Sequence, residues 1–341
     1  MLGLAGPRRA FTQLGGLDLH WAEMGRGRPL VLLHGISDSH GTWSRVAPRL
    51  ARHRRVIMPD LPGHGFSGRP HASYGLDWYA ESIGKWLDAL GLDDFDLVGH
   101  SFGGGVAQRL LLEQAGARVG RLALVASGGL GTGVGLPLRL CASSGVVEHF
   151  GQPFMGLGTR IFLHHAAVFD REEIDGLSWL NSQPGSARVL SRTTRDVIDW
   201  RGQTKHFLDR AHEIEHLPPM IVYWGDRDPI IPARHATSVT DYLEGLYVVQ
   251  LAGCGHFPHR ECPDVFAGSL EAFLQADHQR RPRLRGPGLL PPRAERTRRA
   301  RAGSHGRAHT SGSPFFARLW ERVAAVFGFR KPYFTESAPV T

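Results

Sequence analysis

Ser101 stands in Val98-Gly99-His100-Ser101-Phe102-Gly103-Gly104, between a short apolar run, Phe95 to Val98, and an apolar-periodic run through Leu112. The G-x-S-x-G pattern there reads as strand, tight turn and helix, with the serine on the turn. Gly99 and Gly103 suit a turn too sharp to accept side chains, since glycine has no Cβ. The hydroxyl would stand clear of the backbone, and the helix behind it would aim free N–H groups at a reacting atom. In a chain with 43 glycines this pattern also arises by chance, and the plain alternative is an ordinary serine on a Gly-rich turn. The chemistry open to such a serine is acyl transfer. It needs a base, a group orienting that base, and N–H donors for the oxyanion.

Histidine suits the base, because its unperturbed pKa lies near neutrality. Of 19 histidines, His256 has the best setting, in Gly253-Cys254-Gly255-His256 just after the run Tyr247 to Leu251. His259, beyond Pro258, is its alternative. Asp228 suits the orienting acid, in the turn after Met220 to Trp224, and Asp226 is the alternative, better suited to capping that turn. The oxyanion donors would be the backbone N–H of Phe102, directly after the nucleophile, and that of Ile36, with Gly35 letting its loop turn close to the substrate. This last assignment rests on position, not residue type.

Elements must bring these groups together. Leu17 to Ala22 alternates as a half-exposed strand does, whereas Leu30 to Leu33, Arg55 to Met58, Leu122 to Val125 and Met220 to Tyr223 read as buried strands. Helices are predicted from Thr42 to about Arg52, over Leu76 to Leu90 with Gly91 as the stop, behind Ser101, and over Pro263 to Gln275. This alternation predicts an α/β fold, a mostly parallel twisted sheet flanked by helices. In such sheets ligands gather past the carboxyl ends of strands. Ser127 to Leu217 breaks the rhythm and is too long for a connecting loop. It reads as a helical cap over the site; the alternative is a small domain remote from the serine. The expected organisation is core over 1–127, cap over 128–217, core over 218–278, a basic disordered linker over 279–314, and an amphipathic helix and tail over 315–341.

Five motifs jointly resemble α/β-hydrolase-fold enzymes over roughly residues 11 to 278. They are Leu33-His34-Gly35, Asp60-Leu61-Pro62-Gly63-His64-Gly65-Phe66-Ser67, Gly99 to Gly104, Trp224-Gly225-Asp226-Arg227-Asp228-Pro229 and Gly253-Cys254-Gly255-His256-Phe257. Ser101, Asp228 and His256 also fall in that fold's order, Ser…Asp…His. Val197-Ile198-Asp199-Trp200-Arg201-Gly202-Gln203 resembles a stretch in a group of largely uncharacterised actinobacterial-type serine hydrolases. These are similar in layout to bacterial esterases and to hydrolases of carbon–carbon bonds in ring-fission products. The resemblance implies a Ser101–His256–Asp228 triad, no cofactor and a small hydrophobic ester or ketone substrate, with carboxylesterase or lipase-like chemistry first. Carbon–carbon hydrolysis is second, with Arg192, Arg195 or Arg201 as candidates to hold a substrate carboxylate. Dehalogenases and epoxide hydrolases of the fold carry aspartate at the elbow, so Ser101 argues against them. Cofactor-free haloperoxidases and non-catalytic ligand-binding members stay open.

Composition narrows the rest. The 341 residues are 42% hydrophobic and carry a net charge of +8. Between Gln279 and Pro314 ten arginines face one acid, and after it four bases face two acids, so residues 1 to 278 sum to −3. The excess belongs to the tail, which gives the core no nucleic-acid signature. No apolar run is long enough to span a bilayer, and Met1 to Ala10 lacks a signal-peptide h-region. Three cysteines, Cys141, Cys254 and Cys262, are too few and scattered for a disulfide framework. The reading is cytoplasmic and reduced, with no metal, since Cys254, His256 and Cys262 match no ligand spacing. Phe316, Leu319, Val323, Val326 and Phe327 recur at helical spacing with Arg318 and Arg322 between them. That segment would dock on the core or make a peripheral membrane contact.

Overall fold

The structure is a computed structural model that describes residues 6–113, 118–143, 145–166, 168–278 and 281–285. Its strands are β1 (Arg8–Leu14), β2 (Leu17–Met24), β3 (Pro29–Leu33), β4 (Arg55–Pro59), β5 (Phe95–His100), β6 (Val119–Val125), β7 (Ile198–Asp199), β8 (Gly202–Gln203), β9 (Met220–Gly225), β10 (Leu243–Glu244), β11 (Tyr247–Leu251) and β12 (Arg283–Leu284). Eight of these form one sheet in the order β1-β2-β4-β3-β5-β6-β9-β11. The pairings of β1 with β2 and of β2 with β4 are antiparallel. From β4 to β11 every pairing is parallel.

The inner strands are apolar because both faces are covered. On one face Val31, Leu97 and Leu124 pack with Ile83 of the helix Leu76–Ala89 and Val106 of the helix Phe102–Leu112. On the other, Leu32, Val98 and Tyr223 pack with Leu50, Phe266 and Phe273, the last two on the helix Pro263–Gln275.

Three expectations change. Strand β1 was unexpected; its side chains are exposed or only partly buried, so it is an edge strand with a weak apolar signal. The helix from Thr42 to Arg52 is instead a 3-10 turn at His40–Trp43 and a separate short helix at Ala47–Leu50. Pro48 has no N–H and would clash with a helical carbonyl four residues back, so one continuous helix cannot form. The segment expected to be disordered from 279 carries β12, paired with β10, and Leu284 packs against the core. Residues 281–285 are thereby part of the fold. The remainder of the linker and the segment 315–341 lie outside the described residues.

Between β6 and β9 the described residues form five α-helices: Leu136–Ser143, Val146–Phe150, Met155–Ala166, Arg171–Ser182 and Ser186–Val197. The hairpin β7–β8 follows them. Phe257, next to His256, packs with Leu163, Phe169 and Ile174 of this insertion. Arg260, on the helical turn Pro258–Glu261, has its guanidinium beside Glu173 of the inserted helix Arg171–Ser182 and over the ring of Phe169. The insertion is therefore tied to the loop that carries His256. No described helix is long and apolar enough to cross a membrane.

Candidate active site

The turn at Ser101 is set by what its neighbours lack. A Cβ on Gly99 would lie 2.5 Å from the Gly103 carbonyl oxygen, and one on Gly103 would lie 2.3 Å from that of His34. Backbone cannot yield there, so only glycine fits. Ser101 itself takes φ of +53°, a left-handed value that a residue with a Cβ reaches at a cost of about 1–3 kcal/mol. The conformation is held by Ser101 N–H donating to the Val125 carbonyl at 2.9 Å, and by Gly104 and Gly128 N–H groups donating to the Ser101 carbonyl, each at 3.0 Å.

Strand ends bring the three expected side chains together. Ser101 Oγ lies 3.0 Å from His256 Nε2, and His256 Nδ1 lies 2.8 Å from Asp228 Oδ2. Asp228 is fixed by its other oxygen, which accepts the N–H groups of Ile230 at 2.8 Å and Ile231 at 3.0 Å. The alternatives sit elsewhere. Asp226 accepts the Gly253 N–H at 2.7 Å and so ties the acid turn to the histidine loop. His259 is buried against Trp43, with Nε2 3.0 Å from Thr42 Oγ1. Burial, beside His100 and Arg260, holds its pKa well below the usual histidine value.

Gly35 brings the loop after β3 close to Ser101, since a Cβ there would be 3.2 Å from Ser101 Cβ. Ile36 and Phe102 line the cavity above Ser101. Among the described residues neither backbone N–H has an acceptor.

Sequence reasoning missed two side chains that position His256. His100 Nε2–H donates to the His256 carbonyl at 2.9 Å. Burial, with His256 nearby, holds the His100 pKa well below 6.5, so it stays neutral and adds no charge beside the base. The Glu261 carboxylate accepts the N–H of Gly255 at 2.5 Å and that of Phe257 at 2.9 Å, one on each side of His256. The available signal was an acid five residues past the histidine in a Gly-rich loop.

The cysteine reading is also corrected. Cys254 and Cys262 form a disulfide that brackets His256, and Cys141 is free. Eight residues of separation looked too scattered, but the loop doubles back through the turn Pro258–Glu261.

The Asp60 motif acts as a clamp beneath the site. One Asp60 oxygen accepts His40 Nδ1–H at 2.9 Å, and the other accepts His20 Nδ1–H at 2.8 Å. Burial alone would raise its pKa, yet these hydrogen bonds hold it well below the carboxylate range. The three ligand-type atoms lie close enough for a metal, but both imidazole Nδ1 atoms are committed to the carboxylate as donors.

A cavity of about 370 Å³ opens above Ser101. Leu76, Gln108 and Leu112 line it from the core, and Val134, Leu138 and Ile198 from the insertion. The alternative of an insertion remote from the serine is thereby set aside. The stretch Val197 to Gln203 builds part of this wall. Asp199 Oδ1 accepts the Arg201 and Gly202 N–H groups, closing the hairpin turn. Gln203 bonds to Gly129 N–H and the Gly133 carbonyl, joining the exit of the insertion to its entry. Arg192, Arg195 and Arg201 do not line the cavity; Arg192 pairs with Glu148 at 2.6 Å. The cations that do line it are Arg109, Lys205 and Arg210, paired with Asp77, Asp196 and Glu213.

Fold and site define an α/β protein with a helical insertion beside its cavity and a serine, a histidine and an aspartate in hydrogen-bonded series at the strand ends. The chain belongs to the α/β hydrolase fold family, whose profile it matches over residues 28–262, and hydrolase is its coarse class. It is 32% identical over 286 residues to an uncharacterised protein of Mycobacterium tuberculosis, covering 80% of this chain and 82% of that one. It is 41% identical over 274 residues to 2-hydroxy-6-oxo-2,4-heptadienoate hydrolase of Pseudomonas putida, covering 77% and 95%. Among solved structures it is similar to Cfl2 of Burkholderia cenocepacia, with a TM-score of 0.67 and 25% identity over 79% of this chain and 96% of that one.

Proposed function

We propose that this chain is a serine hydrolase that cleaves a hydrophobic carboxylic ester by acyl transfer. The observation that carries the reading is the unbroken series from Ser101 Oγ through His256 to Asp228, at 3.0 and 2.8 Å. His256 Nε2 takes the proton of Ser101 as Oγ attacks the carbonyl carbon. The N–H groups of Phe102 and Ile36 hold the oxyanion. His256 then protonates the departing alcohol, and water, deprotonated by the same imidazole, releases the acid from the acyl-enzyme. Asp228 keeps Nδ1 protonated and stabilises the imidazolium. The apolar wall of Leu76, Leu138 and Ile198 suits an alkyl or aryl acyl group.

Hydrolysis of a carbon–carbon bond is the second reading, supported by the identity to the Pseudomonas putida hydrolase. It loses the support of the three insertion arginines, which lie off the cavity. The test is a fluorophosphonate probe followed by a panel of p-nitrophenyl esters and a vinylogous ring-fission diketone. Rapid labelling and ester turnover are expected, and Ser101→Ala should lower turnover by about 10⁴-fold or more. Diketone cleavage without ester cleavage selects the second reading. Labelling that persists in Ser101→Ala overturns both.

A further inference from the structure

Among the described residues twelve large apolar side chains are exposed, and eight of them fall between Leu136 and Phe162. That concentration is the opposite of ordinary amphipathic packing. On the helix Met155–Ala166, Met155 and Leu163 are buried, while Leu157 and Ile161, one turn apart, face outward. Phe154 precedes Leu157 by three residues and extends the same stripe, and Phe150 is 71% exposed on the helix before it. A contiguous apolar patch of this kind on a water-soluble surface marks a binding face.

We propose that this outer face of the insertion is a docking surface for an anionic lipid bilayer. Charge selects this occupant. From Leu136 to Ala166 the chain has one acid, Glu148, and it is turned to Arg192. The same span carries Arg139 and Arg160, the latter paired with Asp175 of the next helix, and three histidines, His149, His164 and His165. Pairing this face with its copy would gain no charge complementarity, since the span offers one acid, already paired with Arg192. Covering it with the chain's own tail, which bears ten arginines against one acid from 279 to 314, would do the same. An anionic surface instead attracts both the rim and the tail, and it takes the apolar side chains into the acyl boundary. The face is also continuous with the cavity. Leu136 is exposed on the helix whose Leu138 lines the chamber above Ser101. A bilayer-dissolved apolar molecule would meet the cavity wall without crossing water.

The test uses the full chain and vesicles of phosphatidylglycerol with phosphatidylcholine, or of phosphatidylcholine alone, read by flotation and so independent of any turnover. The comparison is the triple variant Phe150→Ser, Phe154→Ser, Ile161→Ser, whose thermal midpoint should match the parent's because all three side chains are exposed. Parent protein should float with the anionic vesicles, and the triple variant should bind them more than about tenfold more weakly. Equal binding by both overturns the proposal and leaves the tail as the anchor. A parent dimer that the variant converts to monomer, with no flotation, assigns the face to a second copy. No flotation, with faster proteolysis of the tail in the variant, assigns it to the tail.

Discussion

At the scale of single residues, the backbone around His256 is held by two neighbouring side chains as well as by the contacts of its own ring. Glu261 takes the two N–H groups that flank His256, and His100 takes its carbonyl. None of these bonds touches the serine, so their effect on rate runs through placement of the imidazole. Misplacing a catalytic group by about 1 Å costs about 100-fold in rate. Glu261→Ala is therefore expected to lower kcat by about 10- to 100-fold on a p-nitrophenyl ester, with KM within about twofold because the cavity wall is untouched. Glu261→Gln should recover part of the loss, since its amide oxygen can still accept one of the two N–H groups. Equal kcat in all three proteins would remove the positioning role.

At the scale of elements, the insertion and the core meet through a buried ion pair. The Arg260 side chain is 1% exposed; it donates to the Gly41 and Thr42 carbonyls and pairs with Glu173. Glu173 also closes the capping box of its helix: its carboxylate accepts the Asp170 N–H at 3.0 Å, and its own N–H donates to Asp170 Oδ1 at 2.9 Å. Glu173→Gln would leave a buried guanidinium without its counter-charge. The expected loss is about 2 kcal/mol, below the range for fully buried pairs because Glu173 is 24% exposed. Denaturant unfolding measures it; a loss under about 0.5 kcal/mol would mean that the carbonyls alone satisfy Arg260. This contact was not legible in the sequence. It joins residues 173 and 260 through tertiary packing, which no local period encodes. What was legible had a local cause. The buried strands showed as apolar runs, the elbow showed as glycines at two steric bottlenecks, and the helix Pro263–Gln275 began at a proline. Strand β1, the break at Pro48 and the Cys254–Cys262 bond were missed. The strand and the disulfide depend on a partner or a loop path; the break at Pro48 had a local cause, a proline inside the segment, that the apolar period alone passed over.

At the scale of the whole molecule, the core encloses several imidazoles that burial keeps neutral. His34, His64, His100, His235 and His259 are all buried, and burial is the first cause lowering the pKa of each. For His64 and His235 the folded value is about 3. The unfolded chain titrates these groups near 6.5. Between those values the unfolded state binds the proton and the folded state does not, so stability rises with pH across the window. Read downward, it is complete above about pH 7, starts to fall near 6.5 and continues to fall until the folded pKa is reached. Each of His64 and His235 should remove about 2 kcal/mol by pH 5. Carboxylates such as Asp60, whose folded pKa is depressed, begin to cost stability only below their unfolded value near 4. The two causes therefore occupy different pH ranges. Denaturant unfolding at pH 8, 6.5 and 5 should show a loss of several kcal/mol above the range in which depressed carboxylates such as Asp60 cost stability; buried Asp38, whose pKa burial raises, does not add to that loss. His64→Gln with His235→Gln should flatten that slope, whatever it does to stability at pH 8. Constant unfolding free energy from pH 7.5 to 5 would mean that these imidazoles reach protons without unfolding.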